Sequence, residues 1–184
     1  MDFNKVIGAR RSIRKFKKKK ASWKEAMLAI DAALQAPMAG NINVLKFIII
    51  ENEETIEKLA KLSNQSWISQ AGIVIVVCTD NTHLEKIYGD RGKIYCRQQA
   101  GAAIQNLLLK LTDSGLAGCW VGAFTDELVE QALKIPEHMR IEAIIPIGYA
   151  SERAPSKRMH SLESSIYWEE YGMNRRPSFF EESK

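Results

Sequence analysis

The run Ile73-Val74-Ile75-Val76-Val77-Cys78-Thr79 is almost entirely β-branched. Branching at Cβ restricts a side chain in a helix and suits the pleated surface of a sheet, so the run reads as a strand. Residues 45–51, rich in isoleucine, read as a second buried strand. Residues 141–149 read as a third, with Pro146 weakening its edge or its end. Helical patterns lie between them. Ser22-Trp23-Lys24-Glu25 has the form of a capping box. Ala26, Ile30, Ala33 and Leu34 then share one face, and Pro37 stops the helix near Ala36. A further helix turns Ile56, Leu59 and Ala60 inward. The longest pattern, residues 93–114, is lined by Ala100, Ile104, Leu107, Leu108 and Leu111 and ends at Gly115. On it, Gly101, Ala102 and Ala103 are small enough for close packing against another helix or another subunit. Thr125 with Asp126 and Glu127 opens one more helix. Residues 80–92 are polar and irregular, either a surface loop or a lid over a pocket. Residues 161–171 form a possible helix ended by Gly172. This order of elements leaves α/β and α+β both open. A four- or five-stranded sheet with helices on its faces is the economical architecture.

A chain of 184 residues fits one domain with a sizeable core, and 46% hydrophobic with 26% charged residues suits a soluble globular protein. The apolar runs are too short to span a bilayer, and the N-terminus lacks the layout of a signal peptide, so a cytoplasmic location without a membrane partner is expected. Cys78, Cys96 and Cys119 are far apart and odd in number, which argues against a disulfide framework. His83, His138 and His160 have no ligand spacing, so no metal is expected. The net charge of +4 is concentrated in Lys15 and residues 17–20. Without aromatic interleaving, zinc spacing or a helix-turn-helix signature, that run reads as a solvated linker and not as a nucleic-acid surface.

Three arginines and a serine, Arg10, Arg11, Ser12 and Arg14, fall within five residues of one another. A guanidinium binds phosphate through two parallel hydrogen bonds, which an ammonium cannot do. Taken alone, the segment reads equally as a solvated basic turn or as an anion site. Ser156-Lys157-Arg158 is a second basic stretch that could meet it around one anion. Residues 115–122, Gly-Leu-Ala-Gly-Cys-Trp-Val-Gly, fit neither a dinucleotide fingerprint nor a Walker loop and imply a tight turn into a strand. No nucleophile elbow or triad is present, and paired carboxylates such as Glu53-Glu54 read as solvated faces. No catalytic side chain is assigned.

Four motifs, in order, resemble the FMN-dependent nitroreductase family: Arg10-Arg11-Ser12-Ile13-Arg14; Ala36-Pro37-Met38-Ala39-Gly40-Asn41-Ile42-Asn43; the glycine-rich turn at residues 115–122; and Pro146-Ile147-Gly148-Tyr149 followed by Lys157-Arg158. Met38 stands where that family usually has serine, Asn43 where it has glutamine and Leu45 where it often has tryptophan. The resemblance implies an α+β (α/β-like) fold: a central mixed, mostly antiparallel sheet flanked by helices, in a homodimer. Residues 1–172 would form the flavin-binding domain and residues 173–184 a tail. It implies that Arg10, Arg11, Ser12 and Arg14 hold the FMN phosphate and ribityl chain and that Lys157 and Arg158 complete the anion site. Pro37, Met38, Ala39, Asn41 and Asn43 would border the flavin ring from the second subunit, and Gly118 and Cys119 would approach it through backbone. Trp120 is expected in the core, and Asn64 caps a loop or reaches the pyrimidine edge. The implied activity is electron transfer from NADH or NADPH through FMN to a small nitroaromatic, quinone-like or other acceptor by a ping-pong mechanism. Flavin binding without turnover, as in a sensory protein, and related reactions such as reductive dehalogenation stay open.

Overall fold

The structure, a computed structural model, describes residues 2–151 and 161–174. The chain divides into two units, residues 1–154 and 155–184. In the first, strands β1 (Leu45–Ile50), β2 (Ile73–Asp80), β3 (Ala117–Gly118) and β4 (Met139–Gly148) form an antiparallel sheet in the order β1-β2-β4-β3. The added bridge from Ser12 to Gly118 is parallel, which makes the sheet mixed at that edge. Six helices accompany it: α1 (Phe3–Ala9), α2 (Trp23–Leu34), α3 (Glu53–Leu62), α4 (Thr82–Tyr88), α5 (Asp90–Asp113) and α6 (Asp126–Leu133). The expected α+β class and helix-flanked, mostly antiparallel sheet are what the chain forms.

β2 is buried from Ile73 to Thr79 because both faces of the sheet are covered. Ile73, Ile75 and Val77 join Ala143, Ile145 and Ile147 of β4 against α2 and α5, where Ala26, Ala29, Ala33, Ile104 and Leu107 are fully buried. Val74, Val76 and Cys78 lie on the opposite face with Ile144, Ile56, Leu59 and Val129. Each such valine, leucine or isoleucine contributes about 1.5–3 kcal/mol by burial. A strict two-residue period along β4 would put Ile141 on the same face as Ala143. Val77 pairs with Ala143 but Cys78 pairs with Ile141, so Glu142 is an extra residue, a β-bulge. The bulge sends Met139 and Ile141 to the α3/α6 side. The Thr79 hydroxyl, fully buried, donates to Glu142 Oε1 at 2.8 Å, which satisfies it.

Several expectations need correction. Most of residues 80–92 is helical, not irregular: α4 runs from Thr82 to Tyr88, and α5 begins at Asp90, earlier than expected. Only Leu84 of α4 is buried, so its seven residues carry no readable periodicity. Asp80 Oδ1 accepts from Thr82 N at 2.9 Å, and Gly89, at φ 59° and ψ −140°, makes the sharp turn into α5. Pro146 sits inside β4, a strand paired on both sides. It is accommodated where the second neighbour is interrupted, between the Gly118–Ile147 pairing and the Val121–Ile144 bridge. Trp120 is 42% exposed and Leu34 39%, so neither belongs to the core. Residues 161–171 form only a single 3-10 turn, Glu163–Ser165, with a Tyr167–Tyr171 ring pair at 4.6 Å. Every described residue of that unit is exposed.

Candidate functional site

The first part of the site is built on backbone. Asp2 Oδ1 accepts from Asn4 N and Lys5 N and so starts α1, and the chain leaves it at Arg10 in extended form. Ile13 N donates to Gly118 O at 3.2 Å and Lys17 N to Tyr149 O at 2.8 Å, so residues 12–17 run along the sheet's edge. Ile13 and Phe16 point inward and are buried, which leaves Ser12 and Arg14 exposed. Gly148 is required beneath Phe16, because a Cβ there would lie 2.8 Å from the ring.

The three arginines separate by role. Arg11 Nη1 donates to Gly8 O at 2.6 Å and Arg10 O at 2.8 Å, so its guanidinium closes the end of α1. Arg14 lies over the Trp67 ring at 5.8 Å. Among the described residues no carboxylate pairs with Arg10 or Arg14. Both lie near Cys119: burial pushes its thiol up, while Arg14, a hydrogen bond with Ser12 and Arg10 pull the other way. Arg10, Ser12, Arg14, Gly118 and Cys119 therefore converge at the β3 end of the sheet. Gly118 is small for a packing reason, since a Cβ would lie 3.2–3.3 Å from Leu111, Leu108 and the Pro146 carbonyl. Lys157 and Arg158 lie outside the described residues.

The second part lies where α2 ends. Pro37, Met38 and Ala39 line a cleft of about 340 Å³ with Tyr95, Gln98, Gln99 and Ala102 of α5. Gly40 and Asn41 are both left-handed, at φ 59° and 57°, and Ile42 N donates to Ala39 O at 3.1 Å, which makes residues 39–42 a type I′ turn. Tyr88 of α4 stands over it, its hydroxyl 2.8 Å from where a Gly40 Cβ would be, and packs edge-on against Tyr95. Asn43 is occupied locally, its Oδ1 accepting from Leu45 N at 2.9 Å. Asn64, at φ 50°, turns the chain after α3, which matches the loop-capping reading.

Within one chain these two parts do not meet along α5. The turn is tied to α5 at Gln99, whereas Gly118 packs on Leu108 and Leu111. Nine to twelve residues of helix separate those points, roughly 13–18 Å at about 1.5 Å per residue. The sequence reading assigns no role to the cleft residues Tyr95 and Gln99 or to Trp67 beneath Arg14, and assigns Ala102 to close packing only. A signal existed for Gln99, an amide on the otherwise apolar and small stripe of α5. Among the described residues no group of three or more His, Cys, Asp or Glu could hold a metal, and no helix is long and apolar enough to cross a membrane.

Comparison with known proteins adds the following. The model of the Nitroreductase family matches residues 7–69 and 60–149. A Methanothermobacter thermautotrophicus protein named "Putative NADH dehydrogenase/NAD(P)H nitroreductase" is 32% identical over 157 residues, covering 83% of this chain and 79% of that one. The crystal structure of a nitroreductase family protein from Clostridium novyi superposes with a TM-score of 0.76 at 26% identity, over 100% of both chains. The NADPH:FMN oxidoreductase from Vibrio harveyi, solved with NAD+, has the same fold, with a TM-score of 0.84 at 22% identity over 93% of this chain and 78% of that one.

Proposed function

This chain belongs to the nitroreductase family, and from that we propose that it is an FMN-dependent oxidoreductase that passes electrons from NADH or NADPH to a small acceptor such as a nitroaromatic or a quinone. The observation that carries the reading is the convergence of Arg10, Ser12 and Arg14 beside Gly118 and Cys119. Two guanidinium groups without a carboxylate partner among the described residues, next to a hydroxyl, fit the phosphate of FMN. Arg11 assists by fixing the α1 end from which Arg10 projects. Pro37, Met38 and Ala39 offer an apolar border for a planar ring, with Asn41 and Asn43 at its rim. FMN, when bound, supplies the hydride- and electron-transfer chemistry. The protein's share is to hold the phosphate, orient the ring and keep water from one face, which explains why no acid/base triad is needed.

We infer further that the working unit is a homodimer in which the turn of one chain meets the arginine cluster of the other. Two observations support it. The two parts are separated along α5 within a chain. Phe3, Ile7, Trp23, Met27, Leu28, Ile94 and Trp120 are also large apolar side chains left exposed on α1, α2, α5 and the turn after β3. Such interfaces are isologous and bury about 2,000 Å² or more.

Purified protein should take up FMN, turn yellow and bleach when NADH or NADPH is added without oxygen. With no second nucleotide-binding fold among the described residues, donor and acceptor use one place in turn, so double-reciprocal plots should be parallel. Failure to take up FMN, or intersecting lines, would count against the reading.

A further inference from the structure

Gln99 is one of three polar residues buried among the described ones, with Ser63 and Thr79, and it points from α5 into the type I′ turn. One orientation of its amide satisfies the surroundings: Oε1 accepts from Ala39 N at 3.1 Å and Nε2 donates to Ile42 O at 3.2 Å. In a two-residue hairpin the first and fourth turn residues satisfy these same two groups with each other. Here residues 39–42 do not lead into a hairpin ladder, and the Gln99 amide takes up both groups. Two turns further along α5, Asn106 Nδ2 donates to Ala32 O at 3.3 Å, so the same side of α5 also holds the last turn of α2. Of its two left-handed residues, Gly40 adopts that conformation freely and Asn41 carries the backbone cost.

We propose that Gln99 is the positioning residue for the ring-facing turn: its amide locks Ala39 and Ile42 to α5, so that Pro37, Met38 and Ala39 present a fixed edge to the flavin. The proposal rests on the reading that this turn borders FMN. It makes a prediction special to an amide. Gln99→Glu reproduces the pattern only when protonated, with one oxygen accepting from Ala39 N–H and the hydroxyl donating to Ile42 O. Once ionised it is acceptor-only and faces the Ile42 carbonyl with negative charge.

The test titrates wild-type, Gln99→Leu and Gln99→Glu apo-protein with FMN from about pH 5 to about pH 8, and measures amide exchange at residues 39–42 in the FMN-free proteins. Gln99→Leu should weaken FMN binding roughly tenfold at every pH and release the Ala39 amide to exchange. Gln99→Glu should bind as poorly as Gln99→Leu at the upper pH and within about threefold of wild type at the lower, as the ratio to wild type, which removes the titration of the FMN phosphate itself. FMN binding unchanged in Gln99→Leu, or a Gln99→Glu ratio that stays near one after the infrared band of the introduced side chain shows it ionised, overturns the proposal; the pH range is extended upward until that band appears. If Gln99→Leu does not fold, Gln99→Glu decides alone, being the same chain on both sides of its titration. If wild type binds no FMN, the family-based reading has failed, and exchange at Ala39 still decides whether Gln99 holds the turn.

Discussion

The two ends of α5 carry the two parts of the site in opposite ways. At the β3 end the cationic groups are displayed by one short segment whose backbone is tied to the sheet through Ile13 and Lys17. Arg10 and Arg14 are held by little else, so they are available to an anion. At the other end the residues proposed to border the ring sit on a turn with two left-handed residues, held by side chains from α4 and α5. Charge is supplied by a few consecutive residues, whereas a shaped apolar edge has to be assembled from several elements. The first end should therefore be sensitive in binding and insensitive in stability, and the second sensitive in both.

The largest effect is expected from Arg10→Ala with Arg14→Ala. Each lost charge-assisted contact costs about 1.5–3 kcal/mol, so FMN affinity should fall roughly a hundredfold or more. The unfolding free energy should stay within about 1 kcal/mol of wild type, because neither guanidinium has a carboxylate partner among the described residues and the Arg14–Trp67 contact is the interaction lost. Equal losses in binding and stability would erase the contrast between the ends.

A smaller effect, but on stability, is expected from Gly40→Ala. A left-handed non-glycine residue costs about 1–3 kcal/mol. The new Cβ would also lie 2.8 Å from Tyr88 Oη. Tyr88→Phe in the same chain removes the oxygen it meets, so the double variant should regain part of the loss. Denaturant midpoints of the four proteins in the cycle decide it, and strict additivity would show that Tyr88 does not press on the turn.

The smallest effect lies in the thiols and is confined to alkaline pH. Burial pushes Cys96, near the turn, up to about 11 and Cys78 up to about 12, from a usual value of 9.0. A thiol raised on folding contributes its full stability below the unfolded value and loses it as pH rises toward the folded one. Stability should therefore be flat in this respect up to about pH 9 and decline above it. Cys96→Ala should show the shallower decline. Parallel pH profiles for the two proteins would mean that Cys96 ionises as readily folded as unfolded.

The sequence by itself determined the strands, the faces of α2, α3 and α5, and the clustering of guanidinium groups at residues 10–14. Each is carried by residues close in the chain: β-branched runs, helical periodicity, a capping box and clustered guanidinium groups. Tertiary structure alone decided the rest. The short α4 exists because Leu84 finds a core and Gly92 admits its backbone closely. The face change along β4 depends on a register offset against β2 at Glu142. The separate duties of Arg10, Arg11 and Arg14 depend on where the α1 carbonyls and Trp67 lie. The role of Gln99 depends on a turn about sixty residues earlier that only packing of α2 on α5 brings within hydrogen-bond reach. Local patterns record the preferences of neighbours in sequence. Hydrogen bonds and close contacts between distant segments depend on distances that exist only once the chain has folded.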